Sequence, residues 1–307
     1  MGDDGAVRLV REFNRTVTQR IGALDAEYLA RGRPLGASRV LWEIGSPGTD
    51  ARTIRRRLGL DSGYLSRLLR SLEHEGLITV DAATADQRRR RVRLTREGRA
   101  ERAHLDRRSD ELAWSLLEPL DEARRTQLVA AMGTVTRLLT AGLVELTVED
   151  PTSAAAAFCL SSYFAELGVR FDDGFDPAGS ISATAHELTE PAGLLVVAFL
   201  RGDPVGCGAV KFHGPGPAEI KRMWVAPAAR GLGVGRRVLG RLEDLAREHG
   251  ASVFRLETNR HLTEAIGLYR SAGYREVSPF NDEPYAHHWF EKHGPGATPV
   301  PASTPAP

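Results

Sequence analysis

Residues 230–235 read Arg-Gly-Leu-Gly-Val-Gly, and a turn of this composition suggests anion binding. Glycines let the backbone close on a ligand, and the first turn of a helix offers free amide N–H groups at the positive end of its dipole. Leu239, Leu242 and Leu245 repeat at helical spacing from there to His249, so the turn opens a helix. The combination suits a pyrophosphate. A dinucleotide-binding fold would set such a turn after its first strand and want an acid about 20 residues later. Here several strands of antiparallel character come first, and Arg230 leads the turn. The residues alone leave three readings: a dinucleotide site, another pyrophosphate-bearing carrier, or a loop that binds nothing.

A second concentration of chemistry-bearing residues is cationic. Asp86-Gln87-Arg88-Arg89-Arg90 lies between two strand-like runs, Leu77–Val80 and Arg91–Thr95, and reads as a hairpin tip. Immediately before it, helices over Ala51–Leu58 and Ser62–Glu75 flank the tight turn Gly59-Leu60-Asp61-Ser62. This is the pattern of a helix-turn-helix followed by a wing. Leu65, Leu68, Leu69 and Leu72 make the second helix's buried stripe. Its other face offers Ser62, Gly63, Tyr64, Ser66, Arg67 and Arg70, groups able to reach guanine edges or phosphate oxygens in a major groove. Arg88, Arg89 and Arg90 would meet phosphates or enter the minor groove. An amphipathic helix beside a solvated basic loop is the plainer alternative, but the two features in succession favour double-stranded DNA.

Other candidates carry less. Adjacent strand residues point to opposite faces, so His287 and His288 cannot share an ion, and no metal is expected. Cys207 has no evident histidine partner and reads as a small buried hydrophobe. It and Cys159 are the two cysteines of the chain, too few for a disulfide framework.

The elements that must hold these residues divide into two sets, as expected of 307 residues. Residues 1–145 carry 26 Arg and 21 acids, a net +5; residues 146–307 carry 15 Lys and Arg and 19 acids, a net −4. The basic half reads as helical: one long helix over Val7–Ala30, a short one over Ser38–Ile44, the helix-turn-helix capped by Thr49 or Asp50, the hairpin, then helices over Gly98–Glu118 and Asp121–Val144. The acidic half alternates: a strand over Leu143–Val148, a helix over Ser153–Leu167, an acidic loop over Phe171–Gly179, a hairpin of Leu194–Arg201 and Pro204–Phe212 about Gly202-Asp203, and a strand over Ala218–Val225. Alternation along that last strand puts Glu219, Lys221 and Met223 on one face and Ile220, Arg222 and Trp224 on the other. From Gly294 to Pro307 the chain is Pro, Ala, Thr and Gly, which reads as a disordered tail. No apolar run reaches the roughly 20 residues of a membrane helix, and the acidic Met1-Gly2-Asp3-Asp4 start is unlike a signal peptide. A cytoplasmic protein with no membrane partner is expected.

Over residues 5–145 the chain resembles the MarR family of winged-helix repressors, through Leu72-Glu73-His74-Glu75-Gly76-Leu77-Ile78, Asp86-Gln87-Arg88 and Leu94-Thr95-Arg96-Glu97-Gly98. The resemblance implies a homodimer joined through its first and last helices, the latter carrying Leu105, Leu112, Leu116, Leu128, Met132, Val135 and Leu139. It also implies binding to a pseudo-palindromic operator, often relieved by a small ligand.

The second half resembles the GNAT acetyltransferases. Four linked motifs carry this: Met223-Trp224-Val225-Ala226-Pro227, Arg230-x-x-Gly233-x-Gly235, Leu256-Glu257-Thr258-Asn259, and Glu264 through Tyr269 to Tyr274. The resemblance implies that acetyl-CoA is the acetyl-donor substrate. Its pyrophosphate would be held around Arg230, Gly231, Gly233, Val234, Gly235 and Arg236. The backbone of Trp224 and Val225, at a splay in the fold's fourth strand, would take the pantetheine and polarise the thioester carbonyl. Asn259 stands where a side chain often contacts the carrier, Tyr269 where the family places its general acid, and Glu219 where several members place a base.

The expected architecture is therefore an all-α-rich winged helix over 1–145, an α/β GNAT fold with a mixed, mostly antiparallel central sheet over 146–293, and the tail over 294–307. The expected function is acetyl transfer to a small primary amine on a DNA-binding regulator. Lys221 and Arg222 would favour an amino acid or short peptide as acceptor; the acidic Asp172-Asp173-Gly174-Phe175-Asp176 would instead draw a polyamine or aminoglycoside. Two alternatives stand beside it: a transcription factor whose GNAT fold only senses acetyl-CoA or an effector, and an enzyme whose winged helix only dimerises.

Overall fold

A computed structural model describes residues 3–24, 28–30, 32–82, 90–172, 174–181, 183–214 and 216–294. The chain divides into two compact units, Met1–Met132 and Gly133–Pro307, with the division inside one helix.

In the first unit α1 spans Asp3–Arg20, shorter than the expected 7–30, because the chain turns at Gly22, whose φ of +66° leaves the helical region. α2 spans Leu35–Glu43, α3 Ala51–Leu58 and α4 Ser62–His74. Asp50 caps α3 by accepting from the Arg52 amide, and Asp61 caps α4 by accepting from the Tyr64 amide. Gly59 and Gly76, both at positive φ, end the two helices. The wing pairs β2 (Ile78–Ala82) with β3 (Arg90–Leu94), and the short β1 (Thr49–Asp50) adds a third strand on the far side of β3. Leu65, Leu68, Leu69 and Leu72 are buried with Val40, Leu41, Ile44, Ile54 and Val92 in one core. The unit is a winged helix-turn-helix.

Helices α5 (Arg96–Leu117) and α6 (Glu122–Ala141) follow. Of the apolar residues expected to pack along them only Leu105 is buried, and α1 and α6 bury none of their residues.

The second unit is built on seven strands: β4 (Val144–Glu149), β5 (Gly193–Leu200), β6 (Asp203–Lys211), β7 (Ala218–Val225), β8 (Val253–Thr258), β9 (Arg275–Val277) and β10 (His288–His293), in the order β4-β5-β6-β7-β8-β10-β9. Every neighbouring pair is antiparallel except β7 with β8. Helix α7 (Ala154–Arg170) covers one face, and α8 (Val234–Glu248) and α9 (Thr263–Ser271) the other. The mixed, mostly antiparallel sheet is the expected one.

Two irregularities in β7 make the site. Its parallel ladder with β8 runs only over Ala218↔Phe254 and Glu219↔Arg255, after which the strands diverge. Its register with β6 also slips, from Ala209↔Lys221 to Cys207↔Trp224, so Gly208 alone faces Arg222 and Met223. Arg222 sits in this bulge at φ +56°. The extra residue reverses the alternation expected from sequence. Lys221 and Trp224 now share the α7 face with Cys207 and Ala209, while Ile220 and Met223 face α8.

Among the described residues no helix is long and apolar enough to cross a membrane, and no group of three or more His, Cys, Asp or Glu is arranged to hold a metal. The expected tail lies almost wholly outside the described residues.

Candidate active site

The glycine turn opens α8 directly. Gly231 and Gly233 have φ of +80° and +74°, a conformation that L side chains rarely adopt, and Gly233 is the residue from which α8 begins. The turn, the end of β7 and the facing sides of α7 and α9 enclose a cavity of about 500 Å³. Trp224, Val225, Arg230, Gly231, Gly233, Val234, Gly235 and Arg236, named from the sequence, all line it. A positive-φ turn at a helix N-terminus beside so large a cavity fits a pyrophosphate-bearing substrate.

The charged lining is already organised. Arg230 places Nη2 2.6 Å from both oxygens of Glu166 on α7, and its Nε donates to the Val225 carbonyl at 3.1 Å. Glu166 also accepts from Trp224 Nε1 at 3.0 Å and from Arg170 at 3.2 Å. Burial opposes its charge, but these hydrogen bonds outweigh it and hold the carboxyl below its ordinary range. Arg236 binds Ser271 Oγ at 2.6 Å.

A second, smaller cavity of about 80 Å³ opens where β7 and β8 diverge. It shares Tyr163, Leu167, Met223, Leu262, Ala265 and Tyr269 with the first, so the two meet at these side chains. Tyr269 is buried at this junction. Burial, with the nearby Tyr163 and Glu257, raises its pKa and keeps the hydroxyl protonated. Tyr163 is likewise pushed up, to about 12, by burial.

Asn259 is placed elsewhere than expected. It lines the second cavity and not the glycine-turn cavity, its Nδ2 donating to the Tyr285 carbonyl and its Oδ1 accepting from the His261 amide. Glu219 lines neither cavity. It contacts Lys221 at 3.1 Å, His213 at 3.3 Å and Asn281 at 3.4 Å.

The residue that sequence reasoning passes over is Glu257. It lines the second cavity with its side chain 8% exposed, and Oε1 accepts from Lys221 Nζ. Oε2 is buried without a hydrogen-bond partner among the described residues. Burial raises its pKa, partly offset by Lys221. A signal is present: alternation along β8 buries Phe254, Leu256 and Thr258 and turns Arg255 and Glu257 to the other face, so an acid stands inside a sheet strand near its end.

The rest of this cavity is aromatic and polar. Arg222 lies 4.7 Å from the ring centre of Phe164 and 5.8 Å from that of Tyr163. Phe175 and Tyr285 pack at 4.8 Å, and Glu283 pins the adjoining loop by accepting from Ser180 Oγ and the Ile181 amide. In the acidic loop Asp172 is 3.0 Å from His261 and Asp176 caps a turn, while Asp173 lies outside the described residues. Cys207 is wholly buried, its Sγ 3.3 Å from the Arg222 carbonyl. A hydrogen bond with Cys159 and burial push its thiol up, which suits a core residue and not a nucleophile.

In the winged helix, Ser62, Arg67 and Arg70 are exposed on α4, and Tyr64 and Ser66 half-buried. Arg67 lies 5.8 Å from the Tyr64 ring centre. Arg90 is exposed at the base of the wing, opposite Ala82; Arg88 and Arg89 lie outside the described residues.

These features agree with comparisons to known proteins. Residues 142–274 match the model of the acetyltransferase (GNAT) family. The chain is 34% identical over 142 residues to the N-alpha-acetyltransferase RimI of Mycobacterium tuberculosis, covering 45% of this chain and 84% of that one. It is 44% identical over 94 residues to the IAA acetyltransferase of Azospirillum brasilense, covering 30% and 61%. The chain thus spans about three fifths of the length of that relative. It belongs to the GNAT family. The N-terminal part is also similar to a MarR-family transcriptional regulator of Rhodococcus sp. RHA1, 19% identical over 44% of this chain and 95% of that one, with a TM-score of 0.36.

Proposed function

We propose that the chain is an acetyl-CoA-dependent N-acetyltransferase of a small primary amine, carried on one polypeptide with a DNA-binding regulator module. The functional division falls near residue 145, with β4 going whole to the transferase that continues to residue 293. The observation that carries this reading is the meeting of two cavities at Tyr269: a large one on a glycine turn, a small one lined by a buried carboxylate.

The donor's pyrophosphate lies on the amides of Gly231, Gly233, Val234 and Gly235, flanked by Arg230 and Arg236. Its pantetheine runs along Trp224 and Val225, freed from β8 by the divergence, and their backbone polarises the thioester carbonyl. The acceptor occupies the second cavity. An ammonium has no lone pair, so it must lose a proton first. Glu257 is better placed than Glu219 to take it, because Glu219 reaches neither cavity. The amine nitrogen then bonds to the carbonyl carbon, and the C–S bond breaks. Tyr269 gives its proton to the departing thiolate and recovers one from the acylated nitrogen. That recovery matters, since a phenol of raised pKa is a poor net acid toward a thiol. Asn259 orients the acceptor wall. Arg222 favours an acceptor that carries a carboxylate, an amino acid or short peptide, whereas Lys221 is already held between Glu219 and Glu257.

The exposed face of α4 with Arg90 supports binding to double-stranded operator DNA, and the unburied faces of α1 and α6 support a homodimer. The reaction as written requires no metal, and a cytoplasmic location is part of this reading. Coenzyme A release measured with a free-thiol reagent across amino acids, peptides and amine drugs tests the enzyme. Acetyl-CoA binding without acceptor-dependent release would make the fold a sensor. For DNA, replacing Arg67, Arg70 and Arg90 by Gln should reduce the slope of log affinity against log salt by about one for each phosphate no longer neutralised. An unchanged slope would refute the interface.

A further inference from the structure

We infer that Lys221 holds Glu257 as a carboxylate and that Glu219 opposes it, so the three residues act as one proton-accepting unit in which Lys221 is the positioning residue. This rests on the reading of Glu257 as the base. The Lys221 ammonium lies between the two acids, 3.1 Å from Glu219 Oε1 and hydrogen-bonded to Glu257 Oε1. All three side chains are shielded, at 8%, 12% and 8% exposure for Lys221, Glu219 and Glu257, so their charges act on one another with little screening. One cation therefore serves two anions. Burial disfavours the Lys221 charge, but the two carboxylates outweigh that and raise its pKa, so it remains a cation.

The opposition follows from charge. Without Lys221, burial and the Glu219 charge both favour a protonated Glu257, which has no room for the acceptor's proton. Without the Glu219 charge, Lys221 is left to Glu257 alone. The other groups near Glu257 differ in kind. Arg222 is a second cation on β7, engaged with the α7 aromatics; Tyr163 and Tyr269 are neutral phenols. Glu283 is occupied by Ser180, Ile181 and Tyr285, Asn281 is uncharged but its hydrogen bond to Glu257 adds a smaller preference for the carboxylate, and His213 touches Glu219. In the step itself one N–H bond of the bound ammonium breaks, and the proton moves to a Glu257 oxygen, leaving the electron pair on nitrogen. After product leaves, the Glu257 carboxylic acid returns the proton to solvent.

The test is the pH dependence of kcat/KM for acetyl transfer to an amino-acid acceptor. In Lys221→Met the acid limb should move up by about one to three pH units, the range a close opposite charge commands. Lys221→Arg should restore it, and Glu219→Gln should move it down. Glu257→Gln should abolish the limb and lower the rate. Acetyl-CoA binding and thermal unfolding show whether each variant is folded; if Lys221→Met is not, the sign of the Glu219→Gln shift still decides. A limb that survives in Glu257→Gln refutes Glu257 as the base. A limb that vanishes there, yet shifts upward or stays fixed in Glu219→Gln, leaves Glu257 as the base and overturns the coupling.

Discussion

The two cavities of the GNAT unit are built on opposite principles. The donor side centres on backbone features, a positive-φ turn, a helix N-terminus and the end of a diverging strand, all within residues 223–236. The acceptor side is mainly side chains, drawn from α7, the loop around Phe175, β7, β8, α9 and the segment around Tyr285. Backbone recognition suits a constant substrate, because peptide groups cannot be changed by substitution. Side chains suit a variable one. Substitutions should therefore separate the two cavities by which kinetic constant they move.

Tyr269 belongs to both cavities, and its loss should be the largest effect. Tyr269→Phe keeps the ring and its packing against Phe290 and Tyr274. The loss of general acid catalysis predicts a fall in kcat of about a hundredfold or more, with acetyl-CoA affinity unchanged. A variant that retained kcat would remove Tyr269 from the chemistry and leave it as a core aromatic.

Gly233→Val tests the donor side alone. A β-branched residue is strained at φ +74°, and the turn must distort or α8 must start elsewhere. Acetyl-CoA should bind on the order of a hundredfold more weakly in a calorimetric titration, with acceptor KM little altered. Arg222→Met tests the acceptor side. If the guanidinium receives a carboxylate, KM for amino acids should rise about tenfold, as for one charge-assisted hydrogen bond, while the corresponding decarboxylated amines are unaffected. Equal losses on both acceptor types would mean that Arg222 only supports the bulge.

The same contrast governs what can be read from the sequence. The donor turn is contiguous, its glycines serve a local backbone need, and all eight residues named for it from Trp224 to Arg236 line one cavity. The helix-turn-helix is legible for the same reason, since capping residues and the apolar stripe of α4 are local signals. The acceptor side needs tertiary information. Strict alternation misassigns the faces of β7 because nothing in Lys221-Arg222-Met223 announces a bulge; only pairing with β6 shows it. Glu219 is suggested by its place on that strand, whereas the carboxylate that lines the second cavity, Glu257, comes from β8, across the gap that the bulge and divergence create. Asn259 reads as a carrier contact, but its amide is spent on the turn that leaves β8. Long-range pairing, not composition, sets these positions.

A final substitution asks whether the sheet can be weakened without touching either cavity. Glu187, beside β5 and β6, accepts from Lys211 Nζ at 2.7 Å and from the Thr184 amide and hydroxyl at 2.8 and 2.9 Å. These bonds, Lys211 foremost, hold its pKa down to about 2, against about 4.3 in an unfolded chain. A depressed carboxyl stabilises the fold above the unfolded value and loses that contribution as pH falls through the folded one. Glu187→Gln should therefore lower the melting temperature near neutral pH, with the gap from the parent narrowing between about pH 4.3 and pH 2. Because Glu187 lines neither cavity, acetyl-CoA affinity and acceptor KM should stay at parental values. A pH-independent gap would mean that the carboxylate's charge contributes nothing and that shape alone holds the loop to β6. A change in either binding constant would mean that the cavities depend on the β5–β6 end of the sheet, and the separation drawn between backbone-built and side-chain-built recognition would have to be abandoned.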